Sequence, residues 1–236
     1  TSYAVNADGT LGAVLSTVTL GGAGNVPVSI LSLNNGHVYV VTNGTGTNLF
    51  ELNENTDGSV SGVANSQTLG GSGNTPVAIS FPNGSGFDFY VITNGSSGNN
   101  FFSINNSSLA ITNQVQAGSA GDVPVALTPG GTANNEMFVL TSAPSGNVIP
   151  FPIDSSGDIS AALAAGTIGG TGNTPVAAAP TTDDASNGSV DGPPAVFAVT
   201  GGNSQNVWRL PINSDGTLGT PQSANAGSAP VGVSNL

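Results

Sequence analysis

One phrase returns five times along this chain, and nothing else in the sequence constrains the fold as strongly. It reads Gly-Gly-Ala-Gly-Asn-Val-Pro-Val from Gly21, Gly-Gly-Ser-Gly-Asn-Thr-Pro-Val from Gly70 and Ala-Gly-Ser-Ala-Gly-Asp-Val-Pro-Val from Ala117. It recurs as Gly-Gly-Thr-Gly-Asn-Thr-Pro-Val from Gly169 and, shortened, as Ala-Gly-Ser-Ala-Pro-Val from Ala226. The prolines Pro27, Pro76, Pro124, Pro175 and Pro230 are 49, 48, 51 and 55 residues apart. A fixed period of about 50 residues means that one supersecondary unit is being repeated. The longest step holds the polar stretch Asp183 to Pro194, whose composition is that of a loop insertion.

Each unit subdivides alike. A short apolar strand A follows the proline (Val28–Leu31, Val77–Ser80, Val125–Thr128, Val176–Ala179, Val231–Ser234). A β-branched and aromatic run B comes next (Val38–Thr42, Phe89–Thr93, Met137–Thr141, Val196–Thr200). A Gly/Ser/Asn loop leads to strand C (Leu49–Leu52, Phe101–Ile104, Val148–Ile153, Val207–Ile212), and a tight turn opens strand D. At Asp57-Gly58 and Asp215-Gly216 the residues suit the positive φ of a two-residue hairpin. No helical periodicity competes. Four antiparallel strands per repeat predict an all-β propeller, with about five blades covered. The expected division is one domain over 1–236, with a split blade of 1–20 and 226–236 and blades at about 21–69, 70–116, 117–168 and 169–225.

Asn6-Ala7-Asp8-Gly9-Thr10-Leu11, Asn213-Ser214-Asp215-Gly216-Thr217-Leu218 and Val38-Tyr39-Val40-Val41-Thr42-Asn43-Gly44 resemble repeats of the lactonase-type propellers. That family includes 6-phosphogluconolactonase-like and carboxymuconate-lactonizing proteins and is related to surface-layer YVTN-repeat proteins. The resemblance spans essentially the whole chain. It implies a ring of seven blades and a channel site where His, Arg and Glu polarise and protonate a carboxylated or phosphorylated substrate.

Composition removes whole classes of chemistry. Lys and Arg together number 1 against 13 Asp and Glu, for a net charge of −12. Phosphate neutralisation along nucleic acid is therefore excluded. Without Lys there is no Schiff base, and without Cys no disulfide, thiol catalysis or thiolate metal site. No apolar run approaches the ~20 residues of a membrane span, and no cofactor is implied. The Gly-rich phrase lacks the Lys-Ser/Thr ending and the following helix of a phosphate cradle.

Candidate residues remain. Two positions before each proline stand Asn25, Asn74, Asp122, Asn173 and Ser228, which would ring one mouth of the channel as ligand-binding groups or cap their own turns. Asp154-Ser155-Ser156-Gly157-Asp158 lacks the terminal Glu of a calcium loop, and Asp183-Asp184 with Asp191 forms a second acidic group, so no metal site is expected. For catalysis, His37 falls at the A-to-B turn and Arg209 in a strand C, while Glu51, Glu54 and Glu136 lie near strand ends. None has a base or cation at a recognisable spacing, so no catalytic residue is assigned. Acceptor sequons for N-glycosylation occur at Asn43, Asn83, Asn94, Asn105, Asn106 and Asn187.

These features lead to the expectation of a secreted or cell-surface, non-catalytic glycoprotein propeller with a structural, adhesive or glycan-binding role. The alternative is a lactonase or lactonizing enzyme acting at the channel. Thr1 to Asn6 aligns with the second half of a strand C, so one strand B is missing from the count. The chain is therefore expected to be a piece of a longer, seven-bladed protein, or to have its open blade completed by another copy or polypeptide.

Overall fold

The computed structural model describes residues 1–236 except 23–24, 34, 45, 72, 83–87, 96–97, 120, 131–134, 171–172, 181–193, 228–229, 231 and 234–236. Among the described residues the chain is all-β, in five antiparallel sheets. The first sheet has two strands, β1 (Ser2–Val5) and β2 (Leu11–Ser16). The second holds β3 (Pro27–Ser32), β4 (His37–Thr42), β5 (Leu49–Glu54) and β6 (Val60–Gln67). The third holds β7 (Thr75–Ser80), β8 (Asp88–Asn94), β9 (Asn99–Asn105) and β10 (Ile111–Ala117). The fourth has β11 (Pro124–Pro129), β12 (Glu136–Thr141) and β13 (Val148–Pro152). The fifth has β14 (Pro175–Pro180), β15 (Ala195–Thr200), β16 (Val207–Pro211) and β17 (Gln222–Ala224).

Strands follow sequence order within every sheet, and the first strands β3, β7, β11 and β14 contact one another in succession, as the inner strands of a propeller do. The strands A, B and C expected in the second to fifth sheets are all present. The fifth strand A, at 231–234, lies largely outside the described residues, as does the Asp183 to Pro194 insertion.

The proline phrase does more than start a strand. The register slips by one residue between Pro27 and Ser29, Pro76 and Ala78, Pro124 and Ala126, and Pro175 and Ala177. Val28, Val77, Val125 and Val176 are thus the extra residues of four equivalent β-bulges, next to a proline that has no amide to give the ladder. The first glycine of the phrase turns the chain inward at a φ near +70°, namely +65° at Gly21, +71° at Gly70 and +72° at Gly169.

The hairpin turns differ from expectation. Asn6 N donates to Thr10 O and Gly9 N to Asn6 O, with Gly9 alone at positive φ (+80°), and Asn55–Ser59 and Asn213–Thr217 repeat this pattern. This is a type I turn closed by a glycine bulge; the two-residue form would need positive φ at the aspartate as well. The aspartate serves otherwise. Asp8 Oδ1 accepts from Thr10 N (3.0 Å) and Oγ1 (2.7 Å), and Asp215 Oδ1 from Thr217 N (3.0 Å) and Oγ1 (2.6 Å). Those hydrogen bonds hold both carboxyls below the usual range.

The fourth sheet lacks a regular strand D. Pro150 and Pro152 accept at their carbonyls from Leu163 N and Ser160 N but offer no amide in return, so only isolated bridges remain, such as Val148 to Gly166.

Second strands are buried on both sides. Phe89 and Val91 pack toward Tyr39, Val41 and Leu49, while Tyr90 and Ile92 pack toward Leu127, Met137 and Val139. Phe138 and Leu140 meet Val196, Ala198 and Leu210 in the next junction.

The second sheet is different on the side of the first. Ile30 is 68% exposed, whereas its counterparts Ile79 and Leu127 are 7% and 9% exposed. Here a cavity of about 880 Å³ is lined by Val28, Ile30, Val38, Val40 and Leu52 together with Ser2 and Leu20. Ile79→Ala should accordingly cost about 2–4 kcal/mol, and Ile30→Ala well under 1 kcal/mol. Denaturant titration of the two variants checks this; equal losses would show that Ile30 is covered in solution.

A device unread in the sequence locks the outer strands. Asn147, just before β13, donates from Nδ2 to Ala143 O (3.1 Å) and Ile168 O (2.8 Å), and accepts at Oδ1 from Ile168 N (2.9 Å). Asn48 does the same with Gly44 O, Leu69 O and Leu69 N, and Asn206 with Gly202 O, Gly227 O and Ala226 N. One carboxamide thus ties the B-to-C loop to the end of the outer segment in three sheets.

Candidate active site

His37 is the first residue of β4, and Glu51 lies in β5 diagonally across the hairpin, where Asn53 faces His37 and Tyr39 faces Glu51. Side chains at 37, 39 and 51 share a face because strand residues alternate. His37 Nδ1 lies 3.0 Å from Glu51 Oε1. The contact is within ion-pair distance, a pairing of charges only when the imidazole is protonated, and it lacks the alignment of a hydrogen bond. The histidine side chain keeps 34% of its surface open and the glutamate only 8%. The buried carboxylate therefore occupies one ring nitrogen of a solvent-reachable imidazole.

This pair belongs to a longer network. Tyr39 Oη donates to Asn106 O (2.7 Å), its ring centroid lies 4.6 Å from that of Phe89, and Asn35 Oδ1 accepts from His37 N (3.1 Å). Burial, with Glu51's charge in support, pushes the Tyr39 hydroxyl up, against a smaller opposing effect of Asn35. The neighbouring residue Asn105 donates from Nδ2 to Asp88 Oδ1 (3.3 Å), so the 105–106 turn meets both Tyr39 and a second carboxylate. Asp88 Oδ2 also accepts from Ser103 Oγ (3.0 Å), buried like Asp88 itself, and from Thr112 Oγ1 (3.1 Å) of the exposed outer strand. Burial and the Asp88 charge push the Tyr90 hydroxyl up as well.

These contacts overturn the expectation that the chain has no His/Glu/Asp constellation, and with it the reading of a non-catalytic structural, adhesive or glycan-binding module. His37 and Glu51 are 14 residues apart, and what joins them is the pairing register of β4 and β5 across a loop of uncertain phase. A signal was available: His37 and Asp88 both open a strand B two residues before a tyrosine, Tyr39 and Tyr90.

The other candidates are dispersed. Arg209 sits half-buried in β16 between Phe197 and Gln222 of the adjacent strands. Glu54 Oε2 accepts from Ser32 Oγ (3.3 Å), and Glu136 is buried at the start of β12. Asn74 Oδ1 accepts from Asn100 Nδ2 (2.8 Å), Asn173 Oδ1 from Gly202 N (2.7 Å) and Asp122 Oδ2 from Ser119 N (2.8 Å). Asn25 packs between Gly21 and Gly44. Ser228, Asp183, Asp184 and Asp191 lie outside the described residues, as do Asn83 and Asn187. Asp154 Oδ1 accepts from the amides of Ser156 and Asp158 within its own turn. Among the sequons, Asn43 Oδ1 accepts from Val26 N (2.9 Å), and Asn94 ends β8 opposite Thr75. Among the described residues no three His, Asp or Glu side chains converge as metal ligands, and no helix is long and apolar enough to cross a membrane.

No family model and no curated protein matches the sequence. Solved structures do. A candidate 6-phosphogluconolactonase of Bacteroides fragilis superposes with a TM-score of 0.69 at 18% identity, over 97% of this chain and 64% of its own. One from Bacteroides uniformis gives 0.68 at 17% identity, over 95% and 64%. The periplasmic gluconolactonase of Pseudomonas aeruginosa gives 0.66 at 17% identity, over 96% and 63%. The chain thus spans a little under two thirds of the structures it matches, and at this identity the likeness speaks for the fold. This chain is folded as a β-propeller of the 6-phosphogluconolactonase type.

Proposed function

We propose that this propeller hydrolyses lactones, with His37 as the proton-transferring group and Glu51 as the carboxylate that holds it. The observation that carries the reading is the 3.0 Å contact of His37 Nδ1 with Glu51 Oε1. With Nδ1 against the carboxylate, Nε2 is the nitrogen left to work. Nε2 takes a proton from water as its oxygen adds to the lactone carbonyl. The tetrahedral intermediate then collapses, the ring C–O bond breaks, and the imidazolium returns the proton to the departing alkoxide. Lactone and water give one hydroxy acid, with no other reactant. Glu51 stabilises the imidazolium between the two steps.

Charge selects the substrate. A −12 chain whose sole Lys/Arg is Arg209, in the fifth sheet, repels phosphorylated or carboxylated lactones and accepts a neutral sugar lactone. The similarity to a gluconolactonase supports that preference, and the periplasmic location of that protein supports an extracytoplasmic one here. Further propeller-type strands, from a longer chain or a second polypeptide, would complete the two-stranded first sheet over Ile30.

The experiment is hydrolysis of glucono-δ-lactone and 6-phosphogluconolactone, each corrected for its spontaneous rate. Turnover of the neutral lactone with kcat/KM about tenfold or more above the phosphorylated one is the expected result. Rates equal to the spontaneous ones for both would end the proposal.

A further inference from the structure

Asp88 and Glu136 hold the same position, first in strand B of successive sheets, yet their surroundings differ. Across from Asp88 and Tyr90, β9 supplies the donors Asn105 and Ser103. Across from Glu136 and Phe138, β13 supplies Pro152 and Pro150, which donate nothing. Glu136 Oε2 is buried and has no hydrogen-bond partner among the described residues. The carboxyl instead rests among glycines. A side chain at Gly130 would press on Oε2, and one at Gly216, in the turn of the fifth sheet, would collide with Oε1.

We propose that Glu136 is a proton-dependent latch between the fourth and fifth sheets, seated in this glycine pocket as the neutral acid and loosening the junction when ionised. Among the described residues Oε2 has neither a donor nor a cation to replace the water it lost. Desolvation raises its pKa first, and Asp215 adds to the effect. Asp215 is the charged group facing it from the fifth sheet; Gly130 and Leu163 bring no charge, and Asp183, Asp184 and Asp191 lie outside the described residues.

The sign follows. A carboxyl whose folded pKa is raised contributes stability that is full below its unfolded value and is lost as pH rises through the folded one. Asp8, Asp57 and Asp215 act oppositely, losing their contribution as pH falls through their lowered values. The latch rests on the fold alone, so its failure would leave the lactonase reading untouched.

The test compares thermal unfolding of the parent and Glu136→Gln from pH 4 to pH 7.5, with a ¹³C carboxyl titration of the parent in which the Glu136 signal is the one missing from the variant. The expected result is a variant more heat-stable by a few degrees at pH 7, a gap that closes near pH 4, and a Glu136 midpoint above that of ordinary glutamates. If glutamine fails to pack, the titration of the parent decides. A Glu136 midpoint at or below the ordinary value overturns the latch, as does a stability difference independent of pH.

Discussion

Converting His37 to glutamine should lower kcat for opening of a neutral lactone by a factor of about 10²–10⁴, the usual worth of a positioned acid–base group. Glutamine keeps a polar side chain of similar reach, so KM and the circular dichroism spectrum should change little. Glu51→Gln should also lower kcat, by a factor of about 10²–10⁴, because the imidazole stays in place but loses the charge that stabilises its protonated form and fixes its tautomer. The measurement is steady-state hydrolysis of glucono-δ-lactone for the parent and both variants. Equal kcat for all three would show that the reaction, if present, lies elsewhere in the propeller.

Asn147→Ala should be among the costliest single polar deletions, alongside the equivalent changes at Asn48 and Asn206. It strips partners from Ala143 O, Ile168 O and Ile168 N at once, in a region where Ala143 and Ile168 are buried. At about 1 kcal/mol or more for each orphaned group, the loss is about 3 kcal/mol, or roughly 10 °C in Tm for a chain of this size. Asn99 provides the control. Its Nδ2 donates to Asp122 O (2.7 Å) while its buried Oδ1 has no partner, so Asn99→Ala should cost only about 1 kcal/mol. Thermal unfolding of the two variants side by side checks the ratio; equal losses would mean that the triple contact at Asn147 carries no special weight.

The contrast among these residues shows what a sequence of this kind discloses. The repeated Pro-Val phrase and the β-branched runs give the strands and their order, because both are local and recur. Features that depend on two strands at once stay hidden. The bulge at Val28 or Val77 exists only relative to β4 or β8, and the His37–Glu51 contact depends on the phase of a six-residue loop, 43–48. The asparagines were readable in principle, since Asn48, Asn99, Asn147 and Asn206 all stand at the head of strand C. Asparagine is so common in the loops here that position, rather than residue type, was the informative quantity. The missing strand D of the fourth sheet was likewise written in Pro150, Pro152 and the Ala-rich run after Ser160, which has little tendency to extend.

The bulge after each proline also bears on how such a chain tolerates changes of length. It fixes, in four inner strands, which side chains turn toward one neighbouring sheet and which toward the other. A single residue gained or lost inside the phrase would invert that choice for the whole strand and expose its buried set. The same residue added to a connecting loop changes nothing in the core. The spread of 48 to 55 residues between successive prolines is therefore absorbed in the connections, while the phrase itself acts as a ruler. Blades of this protein should be interchangeable with one another or with foreign blades when cut in those connections, and intolerant of any join made within a few residues of the proline.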